Sequence, residues 1–155
     1  MNTTIYWEDI APGQVYNTGS ITIDAADIIE FATEFDPQPY HLDPAVAEKS
    51  IFGGHCASGW QVCALMMRLL ADTLEEQHIS SLGSPGVNSL RWLRPVFAGD
   101  SLCATITVSE KQKAAAAAQP GLVEVAIDVL NQSGQSVIVL DTQLLIEHRP
   151  GGGAA

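Results

Sequence analysis

Two side chains that can exchange protons, Asp36 and His41, lie five positions apart with Pro37 and Pro39 between them. Each proline fixes its own φ angle and drives the preceding residue toward extended backbone, so we expect a stiff loop that is not helical. Such a loop can aim an acid and an imidazole at one point, as general acid/base catalysis on one water or one substrate proton requires. The pattern therefore predicts a catalytic pair of Asp36 and His41.

A short segment, Ala57-Ser58-Gly59, opens a long apolar run of helical character. A glycine lets a ligand approach the backbone, and free N–H groups at a helix start suit a developing negative charge on oxygen. Gly59 is therefore a candidate oxyanion donor, the alternative being a small residue needed for close packing. Ser58 has no G-x-S-x-G context, so it is interpreted as a packing or capping residue and not as a nucleophile.

The composition indicates a folded, acidic protein. Of its 155 residues, 46% are hydrophobic and 16% are charged, and the formal net charge at pH 7 is −11. This length fits one domain, which we place at residues 1–150, and the glycine-rich end at 151–155 is predicted to be a disordered tail. The negative charge argues against nucleic acid and anionic membranes as partners.

No sequence feature indicates export, a membrane span or a metal site. The three cysteines, at positions 56, 63 and 103, form neither a C-x-x-C pair nor a metal-like cluster, and their odd number suits a reducing compartment. The N-terminus does not resemble a secretory signal. The longest apolar window, 56–74, is interrupted by Arg68 and Asp72. We therefore expect a cytoplasmic protein.

The order of the predicted elements indicates an α+β fold. Helices are predicted at 24–35, 44–49 and 56–77, and strands at 5–7, 15–23, 87–96, 101–110, 122–130 and 136–147, with the alanine run at 114–118 left as a hairpin loop. The third helix is apolar on most of its faces and must be buried. An antiparallel sheet wrapped around it would bury it, and the open edge of that sheet predicts a dimer.

The segment 31–61 resembles the hydratase signature of the MaoC-like dehydratases, the group that includes the (R)-specific enoyl-CoA hydratases. The matching residues are Phe31, Ala32, Asp36, Pro39, His41, Asp43, Pro44, Ala47 and Phe52, and the segment 86–100 resembles the family's next strand and turn. These flanking matches favour the catalytic interpretation of Asp36 and His41 over a loop aspartate and a surface histidine. The resemblance implies a hot-dog fold, a sheet around a central helix, acting as a homodimer or higher homo-oligomer on acyl-CoA thioesters.

The resemblance also implies a reaction: reversible syn addition of water to a trans-2-enoyl-CoA, which gives an (R)-3-hydroxyacyl-CoA. By position, Asp36 and His41 would orient and activate the water, and the N–H of Gly59 would receive the thioester oxygen. This chemistry implies no metal and no redox cofactor.

Five further residues are expected to contact the substrate. Tyr40 and Trp60 flank the predicted site and are expected to shape the acyl pocket. Ser58, which precedes the oxyanion donor, is a further candidate for substrate contact. Arg91 and Arg94 lie on a predicted strand among apolar residues. They are expected either to bind CoA phosphates or to form ion pairs at a subunit interface.

Three departures from the family pattern keep two other functions open. Gln38 replaces an asparagine, Ser58 stands where a histidine often precedes the glycine, and Met67 falls near a serine that assists in some members. One alternative is a hot-dog thioesterase, although Asp72, the one acid in the window 56–74, is far from the helix start. The other is a non-catalytic module that binds acyl-thioesters.

Overall fold

Helices and strands occur nearly in the predicted order in a computed structural model of the protein, which describes residues 3–116 and 118–151. A 3-10 turn at Trp7–Asp9 is followed by strand β1 (Val15–Thr22) and helices α1 (Ala25–Phe35), α2 (Pro39–Leu42), α3 (Pro44–Glu48) and α4 (Gly59–Glu76). The remaining strands are β2 (Ser81–Gly83), β3 (Val87–Trp92), β4 (Ser101–Gln112), β5 (Gly121–Leu130) and β6 (Ser136–Ile146). The predicted tail lies outside the described residues except for Gly151, which is in an exposed turn.

Capping residues start helices α1 and α3 where the sequence predicted them. The side chain of Asp24 accepts a hydrogen bond of 2.8 Å from the N–H of Asp27 at the start of α1. Asp43 accepts one of 2.8 Å from the N–H of Ala45 at the start of α3. Pro44 occupies the first position of α3, where a missing N–H costs nothing. The Asp43 carboxylate is therefore used as a helix cap.

The segment that holds His41 is helical, so the prediction of a loop without helix is wrong. Pro39 begins the one-turn helix α2, because proline is tolerated at the first position of a helix. Gln38 precedes it with extended backbone (φ −79°, ψ 140°), as a residue before proline requires. The prolines thus locate the start of the turn instead of preventing it.

The strands form one antiparallel sheet that curves around α4. The order is β1-β4-β5-β6, and both β2 and β3 pair with the other side of β6. Residues that point to the concave face are buried in alternation along the strands, as Leu102, Ala104, Ile106 and Val108 show on β4. They pack against the inner face of α4, which carries Val62, Met66, Leu69 and Leu70. The predicted arrangement of a sheet around a central helix is confirmed.

Helix α4 departs from the prediction at its start. The helix begins at Gly59 and not near residue 56. Cys56 pairs with Phe97, and the N–H of Ala57 donates a hydrogen bond of 2.8 Å to the carbonyl of Val96. These pairings hold the residues before Gly59 in an extended conformation against the sheet.

The outer face of α4 is not covered within one chain. Trp60 is 62% exposed and Met67 is 50% exposed, whereas Met66 on the inner face is buried. Met66 and Met67 face opposite environments because adjacent residues of a helix point about 100° apart. None of the described helices is both long enough and apolar enough to cross a bilayer.

The N-terminal turn and the end of the chain after β6 are joined by an ionic cluster. Glu8 accepts hydrogen bonds from Nδ1 of His148 (2.6 Å) and from the backbone N–H of Arg149 (3.0 Å). The guanidinium of Arg149 also donates to both carboxylate oxygens of Asp9, at 2.6 and 2.7 Å. Desolvation raises the pKa of Glu8, but the bonds from His148 and Arg149 outweigh it and lower the pKa from 4.5 to about 2.

Glu8→Gln should therefore destabilise the protein in a pH-dependent manner. Because the folded-state pKa of Glu8 is depressed, its stabilisation is complete above about pH 4.5 and is lost as the pH falls toward about 2. Urea unfolding of the wild type and the variant between pH 7 and 2 would measure the difference in unfolding free energy. That difference should vanish near pH 2 and shrink in about 0.5 M salt, since the Glu8 side chain is 37% exposed. A difference independent of pH would contradict a role for the ionised carboxylate.

Candidate active site

A cavity of about 400 Å³ lies between α2, the start of α4 and the segment that follows β3. Six of the eight predicted site residues line it: Asp36, Tyr40, His41, Gly59, Trp60 and Arg94. Ser58 is fully buried and is not among the lining residues. Arg91 is exposed on β3 and is not among the lining residues, so the structure does not bring it to the cavity.

Asp36 and His41 face each other across the end of the cavity. Asp36 follows the last residue of α1, and its backbone N–H donates to the carbonyl of Ala32 at 3.0 Å. The imidazole Nε2 of His41 lies 3.4 Å from Oδ2 of Asp36. This separation is longer than a direct hydrogen bond, and one small molecule placed beside the pair can lie within hydrogen-bond distance of both groups.

The orientation of the His41 ring is set by its other nitrogen. Nδ1 lies 2.7 Å from the carbonyl oxygen of Cys56. Because a carbonyl oxygen only accepts hydrogen bonds, Nδ1 must carry the hydrogen, and the lone pair of the neutral ring is on Nε2. The base nitrogen therefore points toward Asp36 and the cavity.

Ser58 uses its hydroxyl to hold Asp36 and does not cap helix α4. Its Oγ donates a hydrogen bond of 2.7 Å to Oδ2 of Asp36, and no side-chain cap is formed at the helix start. The first turn of α4 consequently keeps free donors: no partner for the N–H of Gly59 is found among residues 3–116 and 118–151. Free N–H groups and the positive end of the helix dipole make this position suitable for an oxygen that gains negative charge.

The indole of Trp92 packs directly against Gly59. A Cβ atom added at Gly59 would lie 2.5 Å from Nε1 of Trp92 and 2.7 Å from Cε2. Both residues line the cavity, and the Trp92 ring makes an edge contact with Trp60 at a centroid distance of 5.1 Å. The absence of a side chain at Gly59 is therefore needed for the Trp92 indole to pack against the helix start. Gly59 is also the candidate oxyanion donor.

Gly59→Ala should destabilise the protein by about 1–3 kcal/mol, because the added methyl group overlaps the indole of Trp92. In a helix without this contact, glycine-to-alanine substitution stabilises by about 0.5–1 kcal/mol. The same substitution in a Trp92→Ala background should therefore be neutral or stabilising. Urea unfolding of the two single variants and the double variant measures this reversal. Equal losses in both backgrounds would show that Trp92 does not cause the effect.

Aromatic side chains fix the position of the cavity wall near His41. Tyr40 makes an edge contact with the His41 ring at 4.5 Å and a tilted contact with Phe52 at 5.1 Å. Cys56 also lines this wall, with its sulfur 3.8 Å from Nδ1 of His41. Burial raises the pKa of the Cys56 thiol, so it is protonated at neutral pH and is a poor nucleophile.

Two of the residues that depart from the family pattern do not reach the cavity. Gln38 is exposed and forms no side-chain cap on α2, and Met67 lies on the outer face of α4. Arg94 lies at the cavity edge, where its Nη1 donates a hydrogen bond of 2.7 Å to the carbonyl of Ser136. The Arg94 guanidinium is therefore already oriented to bind a phosphate group at this edge.

The wall formed by Trp92, the segment after β3 and Val137 of β6 was not predicted from the sequence. Trp92, Leu93, Val96 and Val137 line the cavity opposite the start of α4. They come from positions distant in the chain, and no local motif marks them as site residues. A large aromatic residue on an edge strand, such as Trp92, was the one available signal.

Comparisons with known proteins agree with this architecture. Residues 9–130 match the family model described as MaoC like domain. Protein YdeM of Bacillus subtilis (strain 168) is 30% identical over 142 residues, which cover 90% of this chain and 97% of YdeM. The crystal structure of the MaoC-like dehydratase from Rhodospirillum rubrum has a TM-score of 0.83 and 36% identity, covering 94% of this chain and 99% of that one. The R-hydratase PhaJ1 from Pseudomonas aeruginosa has a TM-score of 0.71 and 26% identity, covering 94% and 88%.

A curled antiparallel sheet around a central helix, shared with these structures over most of the chain, defines the hot-dog fold. The chain belongs to the MaoC-like dehydratase family. The resemblance found in the segment 31–61 is thereby confirmed at the level of fold and family.

Proposed function

We propose that this protein is a hydro-lyase that reversibly adds water to a trans-2-enoyl-CoA and forms an (R)-3-hydroxyacyl-CoA. The observation that carries the proposal is the convergence of His41 Nε2, the Asp36 carboxylate and Gly59 on one cavity, with no partner for the Gly59 N–H among the described residues. Membership of the MaoC-like family and similarity to an R-hydratase support this reaction class and the R configuration.

In the proposed mechanism, one water lies beside His41 and Asp36, within hydrogen-bond distance of both. The water donates one hydrogen to the lone pair of Nε2 and the other to the carboxylate, so its oxygen lone pair is directed into the cavity. The oxygen attacks C3 of the enoyl group, and a proton passes from the water to the acid/base pair. Ser58 keeps the carboxylate in place through its bond to Oδ2.

The electron pair displaced from the C2–C3 double bond moves toward the thioester carbonyl. The N–H of Gly59 donates a hydrogen bond to that oxygen as it becomes enolate-like, aided by the dipole of the 18-residue helix α4. The acid/base pair then returns a proton to C2 on the face from which water attacked. The addition is therefore syn, and because it is redox-neutral it requires no redox cofactor.

We assign recognition of the CoA phosphates to Arg94, with Arg91 as a second candidate. Arg94 is at the cavity edge and Arg91 is exposed three positions earlier in the chain. Lys111 is not suitable, because its Nζ donates to the carbonyls of Trp7 and Ile10 at 3.1 and 2.7 Å. Since the chain carries a net charge of −11, a local guanidinium is needed to attract a polyanionic ligand.

We also propose that the protein functions as a homodimer joined through the outer face of α4 and the free edge of β3. Exposed apolar side chains occupy both surfaces: Trp60 and Met67 on the helix, and Val87 and Trp92 on the strand. Trp60 and Trp92 also line the cavity, so a second copy would close its open side. Met67→Glu should produce monomers in sedimentation equilibrium. The control Val15→Glu, which changes an equally exposed residue on β1, should remain dimeric.

The deciding experiment follows the enoyl-thioester absorbance of crotonyl-CoA with purified protein, together with product chirality and free thiol. Absorbance loss with an (R)-3-hydroxyacyl product and no thiol is the expected result. Thiol release would instead identify a thioesterase. That alternative has less support, because Asp72 on α4 is paired with Arg68 at 3.0 Å and does not line the cavity. Absence of turnover with longer and branched enoyl-CoAs, but with retained binding, would identify a non-catalytic acyl-thioester module.

A further inference from the structure

We infer that His55 is a positioning residue that holds His41 at a fixed distance from the oxyanion donor. The inference rests on the proposed function, because it assigns His55 a part in keeping that site assembled. His55 does not line the cavity and belongs to the short segment that precedes α4.

The contact between the two histidines is made through the backbone of one and the ring of the other. Nε2 of His55 lies 2.6 Å from the carbonyl oxygen of His41. In the opposite direction, Nδ1 of His41 donates to the carbonyl oxygen of Cys56, the next residue after His55. Residue 41 is thus tied to the segment 55–56 at two points, once through its carbonyl and once through its imidazole.

The hydrogen bond from His55 to the His41 carbonyl compensates for the shortness of helix α2. The last carbonyls of any helix lack partners within it, and α2 has only four residues, so nearly its whole backbone is affected. A histidine near a helix C-terminus can donate to such a carbonyl. His55 does so at the residue that carries the candidate base, and this bond adds to the contact of the His41 ring with the Cys56 carbonyl.

The segment that carries His55 is itself anchored to the sheet side of the cavity. The carbonyl of His55 accepts from the N–H of Ala98 at 3.0 Å, and the N–H of Ala57 donates to the carbonyl of Val96 at 2.8 Å. Gly59 follows two residues after Ala57. The bond from His55 therefore connects the base to the same rigid segment that presents the oxyanion donor, and catalytic groups must keep their spacing to within about 0.5 Å.

The other nitrogen of His55 indicates that packing alone does not explain this residue. Because Nε2 donates to a carbonyl, Nδ1 carries a lone pair, and this atom is buried without a hydrogen-bond partner in the part of the chain that the structure describes. An unpaired buried nitrogen is unfavourable, so an aliphatic side chain would fill the space at lower cost. The donor function of Nε2 distinguishes histidine from such a side chain.

Two variants distinguish the hydrogen-bond donation by His55 from the packing of its side chain. His55→Leu fills a similar volume without a donor, whereas His55→Gln places an amide N–H near the position of Nε2. With crotonyl-CoA, we expect His55→Leu to lower kcat by about 10–100-fold and to change KM by less than about threefold, because the base is displaced while the binding surface remains. His55→Gln should keep kcat within about threefold of the wild type.

A second readout does not depend on turnover. Long-range ¹H–¹⁵N spectra of the histidine rings report which nitrogen carries the hydrogen. In the wild type and in His55→Gln, His41 should be in the Nδ1–H form, and in His55→Leu it should become a mixture of both forms as its bond to Cys56 loosens. Urea unfolding of all three proteins verifies that each is folded.

The outcomes distinguish this inference from the proposed function. If no enoyl-thioester is turned over but the His41 tautomer changes in His55→Leu only, the positioning role stands and the hydratase proposal fails. If the wild type is active and His55→Leu retains both its kcat and the Nδ1–H form of His41, the positioning role is overturned. The positioning role is also overturned if kcat falls as far in His55→Gln as in His55→Leu, because the retained hydrogen-bond donor would then have no effect on the rate.

Discussion

Asp36→Asn is expected to lower kcat for enoyl-CoA hydration by about 10³-fold while the protein remains folded. Asparagine has nearly the same shape as aspartate, and its amide oxygen can still accept the 2.7 Å hydrogen bond from Ser58. It cannot take up or return a proton, however, and it carries no charge to orient the water. Initial rates with crotonyl-CoA measure the loss, and urea unfolding verifies the fold.

Asp43→Asn provides a matched control for this change. Asp43 belongs to the same segment, but its carboxylate caps α3 by accepting from the N–H of Ala45, and asparagine caps helices as well as aspartate does. Its kcat should stay within about twofold of the wild type, since the residue does not line the cavity. Near-wild-type turnover by Asp36→Asn, or an equal loss in both variants, would contradict the assignment of Asp36 as part of the acid/base pair.

His41→Ala should cause a loss of similar size, about 10³-fold in kcat, because it removes the Nε2 lone pair that faces Asp36. It also removes the partner of the Cys56 carbonyl, and a buried acceptor without a partner costs about 1–3 kcal/mol. A loss of activity in this variant alone could therefore reflect a disturbed site. The rate must be measured together with the free energy of unfolding.

His41→Asn separates the two effects. The asparagine amide nitrogen takes the place of Nδ1 and can still donate to the carbonyl of Cys56, but the side chain has no group at the position of Nε2. We expect this variant to be as inactive as His41→Ala and more stable, by about 1 kcal/mol or more. Substantial turnover in His41→Asn would show that Nε2 is not the base.

Local signals in the sequence predicted most of the elements and part of the candidate site. Asp24 and the Asp43-Pro44 pair mark helix starts through hydrogen bonds within three residues, so they can be identified without the fold. The approach of Asp36 to His41 depends on the short segment between them, and it was predicted from their spacing together with the flanking matches to the family. The conformation expected for that segment was wrong, since it forms the one-turn helix α2. The sheet around a helix followed from the apolar character of the residues that became α4 and from the resemblance.

The remaining features depend on contacts that are distant in the sequence. Helix α2 has four residues and carries no periodic pattern, and strand β2 has three residues that pair with the end of β6. The start of α4 shifts to Gly59 because Cys56 and Ala57 pair with the segment after β3. The contact of Trp92 with Gly59 likewise exists only after the sheet has closed over the helix.

The cavity combines two parts of the chain that have different roles under the proposed function. Every proposed reacting group lies within residues 36–59, whereas the opposite wall is formed by residues 92–96 and Val137 on the sheet. Under the proposed function, replacing Leu93, which is 49% exposed, is expected to alter the size and shape of the acyl group that fits. Val96 and Val137 are less suitable for replacement, because both are buried in the core and the Val96 carbonyl accepts the hydrogen bond that holds Ala57. If the hydratase proposal holds, a library restricted to position 93 is therefore the direct way to seek variants that accept bulkier thioesters.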